Sequence, residues 1–152
     1  MTILSIDSGI EKTGYAIFKD KKYVTSNLIK TAKTKPIEVR LNEIYSQLKT
    51  IIKKYRPDVL VLERLFFFRN QKTAILVSQA QGVILLLAAQ NKVKLAFLTP
   101  LQIKQSITGY GQADKKAVQK MIKLEYQIDV KQDDEADAVA CGLAFNLLRS
   151  LK

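Results

Sequence analysis

The segment VLVLE at 59–63 is four aliphatic residues closed by one carboxylate, and Pro57-Asp58 precedes it. Without polar alternation, such a run reads as a short strand buried on both faces, the kind found in parallel sheets covered by helices. The flanking sequence agrees. Pro36 opens a helix whose apolar positions Ile37, Leu41, Ile44, Leu48, Ile51, Ile52 and Tyr55 step by three and four. A longer helix, about 71–91, is apolar around much of its circumference, and KLAFL at 94–98 forms the next strand. Strands at about 2–7, 13–19 and 22–30 make an antiparallel meander, with Asp20-Lys21 as a hairpin turn. Ser8-Gly9 and Gly14 read as the tight turn joining the first two. Thr99-Pro100 is the N-cap and first residue of another helix, which GYG at 109–111 breaks. Helices at about 113–125 and 133–149 follow. The expectation is an α/β fold with one mixed five-stranded sheet flanked by helices, in a single domain spanning 1–152.

What the chain lacks narrows its chemistry. It has no histidine, so imidazole acid–base catalysis, Ser-His-Asp triads and His-ligated zinc are excluded. The single Cys141, within AVACGLAF, excludes an internal disulfide and any Cys-cluster metal site. The apolar run at 83–89 is too short to span a bilayer, and Asp7 interrupts the N-terminal apolar stretch before it resembles a signal peptide. No membrane partner and a cytoplasmic location are therefore expected. Net charge is +11, which points to a polyanionic partner. From Arg64 to Ala113 there is no acid, while six Lys and Arg occur.

The acids that remain are concentrated. Asp7 closes the apolar run 3–6 as Glu63 closes 59–62. A charge at the end of a buried strand is costly unless paired. Taken alone, Asp7 reads as a turn or capping carboxylate. If the two strands lie parallel and adjacent, however, both carboxylates open onto one crevice at the strand ends. DDEADA at 133–138 adds more acids at the start of a predicted helix. Asp134 and Asp137 share a face at i, i+3, and Asp133 and Asp137 share one at i, i+4, so spacing leaves the pair open. Acids in a first turn also suit the helix dipole without any ligand. Clustered carboxylates repel unless a cation neutralises them, and all-oxygen donors select Mg²⁺ or Mn²⁺. Two such ions about 3.5–4 Å apart would form the clamp of in-line phosphodiester cleavage. A basic, histidine-free chain with this cluster suggests a metal-dependent nuclease.

SIDSGIEKTGYAIF, VLVLERLFFFRNQKTA, QAQG, LQIKQSITGYGQADKKAVQKMI and DDEADAVACGLA, in that order, resemble the RuvC-type Holliday-junction resolvases. The likeness covers nearly the whole chain. It implies a ribonuclease-H-like fold, a homodimer, and symmetric Mg²⁺-dependent cutting of four-way junction DNA, with branch-migration proteins as a further class of partner. It places acidic ligands on Asp7, Glu63, Asp134 and Asp137, choosing Asp134 because the family's D-x-x-D-A ending falls on DEADA. It places an aromatic wedge three residues after the glutamate, at Phe66, with Phe67 and Phe68 able to share the role and Arg69 expected to contact phosphate. As a group the three Phe also read as a hydrophobic plug under a loop, since exposing them is expensive. Lys104 and Lys115 match lysines near the scissile phosphate, and Lys116, Lys120 and Lys123 extend a basic face suited to duplex backbone.

The chain departs from the family at Ser8, where Pro is common, and ends at Lys152 without the basic extension some members carry. Three other readings compete. One is a related nuclease acting on structured RNA, of the ribosomal-RNA maturation type. Another is a catalytically idle nucleic-acid-binding module, against which four acids argue, because they weaken phosphate binding unless metal is present. The third is the actin-like ATPase phosphate loop suggested by ID-x-G-x(4)-G at 6–14, which needs a second domain and a second motif.

Overall fold

The computed structural model describes residues 1–65 and 71–150, so Phe66, Phe67, Phe68 and Arg69 lie outside the described residues. The order of elements is β1 (Thr2–Asp7), β2 (Lys12–Lys19), β3 (Lys22–Lys30), α1 (Ile37–Tyr55), β4 (Val59–Glu63), α2 (Gln71–Gln90), β5 (Lys94–Leu98), α3 (Pro100–Thr108), α4 (Lys115–Tyr126) and α5 (Asp133–Ser150). The five strands form one mixed sheet in the order β3-β2-β1-β4-β5. The meander supplies the antiparallel half, and β1, β4 and β5 run parallel.

Strand alternation divides the core in two. Leu4, Ile6, Ile17, Leu60 and Leu62 face α1 and α2, where they meet Ile44, Leu48, Ile84 and Leu87. Ile3, Ala16, Phe18, Val59, Val61 and Leu98 face α3, α4 and α5, meeting Ile103, Val118, Val139 and Leu143. Burial on both faces explains the unbroken apolar character of VLVLE.

Local chemistry sets the element ends. Asp20 and Lys21 both adopt positive φ, as a two-residue hairpin turn requires. Thr99 and Gln102 form a reciprocal capping box at α3, which ends at Gly109 with φ 75°. Asp114 caps α4, so that helix begins two residues later than its apolar pattern suggests.

Two readings are corrected. Gly14 lies inside β2, opposite Asp7, and not in the β1–β2 turn. Its lack of a side chain serves packing, as the site shows. The other concerns the 83–89 run, read as too short to span a bilayer. The helix around it, Lys72–Gln90, has a mean hydropathy of 1.5 and is long and apolar enough to cross a membrane by length and composition. Yet α2 joins two strands of one sheet, and Ala80, Ile84, Leu87 and Ala88 are fully buried within the fold. Ile75 (59% exposed) and Leu86 (53%) on the same helix are open.

Candidate active site

The parallel pairing of β1 with β4 is in register at Ile6 and Leu62, which sets Asp7 and Glu63 side by side at the strand ends. Because side chains alternate, both fall on the face of the sheet that α5 covers. Residues on α5 then supply the opposite wall. The helix is held unusually close to the sheet. The buried Ser5 hydroxyl donates to the carbonyl of Ala138 at 2.7 Å. A Cβ on Gly142 would lie 2.6 Å from the Ser5 hydroxyl and would overlap the Phe18 ring. A Cβ on Gly14 would overlap the carbonyl of Asp134 and lie 2.9 Å from the amide nitrogen of Glu135. Glu135 also accepts from Ser26 on β3 at 2.5 Å, tying the first turn of α5 to the sheet's far edge.

This arrangement brings the four predicted acids into one electrostatic unit. The Asp7 carboxyl is pushed up to about 7, first by burial and then by the charges of Asp137, Asp134 and Glu63. Burial is also the main cause of the raised Glu63 and Asp137 carboxyls, with Asp137 the leading charge acting on Glu63. Asp133 is not among the groups acting on Asp7; its side chain meets Gln119 at 3.3 Å and Lys115 at 3.7 Å.

Lys104 and Lys115 reach the same place. With Glu63, Asp137, Pro100, Ile103, Val118 and Ala140 they line one cleft. The Lys115 ammonium donates to Asp137 Oδ2 at 2.8 Å. Lys116 does not enter this cleft; it lines a separate groove between α4 and α5 with Gln119, Lys120 and Lys123. The positioning roles of Ser5, Gly14 and Gly142, and the Lys115–Asp137 contact, were not read from the sequence. Their only signal there is the small size of Gly142 within an otherwise apolar helix.

Among the described residues, no three carboxylates converge closely enough to hold an ion as the side chains stand. The donor set still fits a hard divalent cation. It is all oxygen, and positive charge added beside a carboxyl raised to about 7 by burial and three like charges would favour its ionised form. Asp7, Glu63, Asp134 and Asp137 are the residues that could hold it.

Residues 3–145 match the family described as crossover junction endodeoxyribonuclease RuvC. A RuvC crossover junction endodeoxyribonuclease from Caldicellulosiruptor saccharolyticus is 44% identical over 157 residues, covering 99% of this chain and 95% of the relative. One from Brachyspira hyodysenteriae is 43% identical, covering 95% and 92%. Among solved structures, that of Thermus thermophilus RuvC in complex with a Holliday junction substrate matches with a TM-score of 0.90 at 25% identity, covering 99% of this chain and 96% of that one.

Proposed function

The chain belongs to the RuvC family of crossover junction endodeoxyribonucleases, and from that premise we propose that it resolves four-way DNA junctions by paired, symmetric phosphodiester hydrolysis at the Asp7–Glu63–Asp134–Asp137 site. The family is one of metal-dependent nucleases. We take the metal to be Mg²⁺, with Mn²⁺ able to replace it, and two ions per site. The observation that carries the reading is the Asp7 carboxyl, pressed by three other acids at the end of a buried strand.

A divalent cation bound there supplies charge neutralisation for the acids and polarises the water and the leaving oxygen of the cut. The protein's own residues do the rest. Asp7 and Glu63 are fixed by the sheet, so their spacing costs little reorganisation when substrate arrives. Asp134 and Asp137 close the site from α5. Lys104 and Lys115 line the same cleft as Glu63 and Asp137, where an approaching phosphate would meet them. Lys116, Lys120 and Lys123 give the groove between α4 and α5 positive charge for duplex backbone. Phe66, with Phe67 and Phe68, would stack at the opened exchange point, and Arg69 would hold phosphate beside it. Two symmetric cuts need two sites, and the open apolar side of α2 fits a second copy of this chain. A DNA substrate fits the cytoplasmic location expected from the sequence.

The test is cleavage of a synthetic four-way junction beside a linear duplex and an RNA–DNA hybrid, with Mg²⁺ and with chelator. Junction-selective, Mg²⁺-dependent cutting that disappears in Asp7→Asn, while junction binding persists, is the expected result. Preference for the hybrid would assign the RNA substrate class instead, and full activity in chelator would remove the metal from the reading.

A further inference from the structure

Lys115 is placed where its charge is locally unfavourable. It is the first residue of α4, at the positive pole of that helix, immediately after the Asp114 cap, and no acid occupies the first turn. Its ammonium reaches back to α5, 2.8 Å from Asp137 and 3.7 Å from Asp133. Charges on Asp137, Asp133 and Asp7 all favour its protonated state. It also acts on Glu63. One side chain therefore addresses both strand-end acids and the acid on the helix. The pair with Asp137 is half exposed, so its own contribution to stability is small. Its position, not its strength, is what matters.

We propose that Lys115 is an internal counter-ion competing with the divalent cation for Asp137, and that a DNA phosphate releases it. This rests on the metal-site reading above. Before substrate arrives, the lysine partly neutralises the acids and lowers the gain from binding a cation. A phosphate entering the cleft offers the ammonium another partner, and Asp137 is freed to turn to the ion. Metal and DNA binding are thereby coupled through one flexible side chain: each favours the other, and by linkage the coupling is reciprocal. The free enzyme would hold metal weakly, and the full cation complement would assemble with DNA.

The neighbour Lys116 provides the control. It carries the same charge on the same helix but lines the groove on the other side. Mn²⁺ binding to the DNA-free protein is measured by calorimetry for wild type, Lys115→Met and Lys116→Met, with melting curves to check folding. Lys115→Met should bind Mn²⁺ about three- to tenfold more tightly than wild type, and Lys116→Met about as wild type does. Adding junction DNA, in Ca²⁺-free buffer with Asp7 intact and at low temperature to suppress cutting, should raise Mn²⁺ affinity more in wild type than in Lys115→Met.

Equal or weaker Mn²⁺ binding by DNA-free Lys115→Met, with normal binding by wild type, would overturn the inference and leave the metal site standing. An equal gain in Lys116→Met would also overturn it, by showing an effect of net charge alone. Absence of Mn²⁺ binding in all three proteins, with and without DNA, would overturn the metal-site reading and this inference together.

Discussion

Gly14 on β2 lies against the main-chain carbonyl of Asp134 at the start of α5, and a Cβ there would fall inside that carbonyl's van der Waals envelope. Asp7 is the residue paired with Gly14 across the sheet. This backbone contact is thus one of those that set the separation between one strand-end acid and the acids of the helix. Gly14→Ala should force the first turn of α5 outward. The expected outcome is a loss of about 1–3 kcal/mol in stability, with cleavage reduced further than the folded fraction accounts for. Urea unfolding beside junction turnover checks it. A drop in turnover that merely follows the folded fraction would mean that the contact does not tune the site.

Stability in chelator should fall as pH rises from about 4 to about 7. Asp7 is pushed up to about 7 in the folded protein, chiefly by burial and then by Asp137, Asp134 and Glu63. Between its unfolded and folded values the native state keeps a proton that the unfolded chain has lost, so stability declines with pH and levels off above about 7. Glu63 and Asp137 are raised as well and add in the same direction. The Asp7 part is worth roughly 2–4 kcal/mol. Asp7→Asn should flatten the profile and make the protein more stable at neutral pH. Urea midpoints at several pH values measure it, and an unchanged slope in the variant would refute the assignment.

The α2 surface should join two copies of the chain. Ile84 and Leu87 are committed to the core, whereas Ile75 and Leu86 are exposed. Leu86→Glu should shift sedimentation from dimer to monomer at micromolar concentration with little change in melting temperature, and should reduce paired cutting of a junction to single nicks. A wild-type protein that is monomeric with and without junction DNA would rule the seam out.

Phe66 gives a prediction from sequence and family resemblance alone. As a wedge, Phe66→Ala should leave stability nearly intact and slow junction cleavage, since stacking on an opened base is worth roughly 1–3 kcal/mol. Residual cutting should keep its Mg²⁺ dependence. As a core residue, the same change would cost roughly 3–5 kcal/mol and lower the melting temperature visibly. A large fall in melting temperature with unchanged turnover in the folded fraction would move the wedge elsewhere in LFFFRN.

Asp7 and Glu63 were legible in the sequence because an apolar run ending in a charge is a local anomaly. The strands, the N-cap at Thr99 and the Asp20-Lys21 turn were legible for the same reason, each being decided by neighbours in sequence. Gly14 was misread because a glycine soon after Ser8-Gly9 looks like turn chemistry, and only the arrival of α5 across the sheet shows why a side chain is excluded. Spacing left Asp133 and Asp134 open; they differ in what they meet, Asp134 lying against Gly14 of β2 and Asp133 against Gln119 of α4. The resemblance separated Lys115 from Lys116, which spacing alone does not, and one residue of rotation on α4 sends the two to different grooves. In α2, apolar residues all round hid which side the sheet would take.

The shared register of β1 and β4 bears on how such a chain can change over time. Glu63 faces the cleft because it is an odd number of positions beyond Leu62, Leu60 and their inward partners on the α1 side. β4 is enclosed by β1 and β5, leaving no free edge to absorb an extra residue. One codon gained or lost within 59–62 would turn the carboxylate to the opposite layer and set aliphatic side chains in its place. Aliphatic exchanges at the same positions would leave it where it is. The count of residues in that strand thus constrains the site as strictly as the acid itself, while exchanges among aliphatic residues within the count do not.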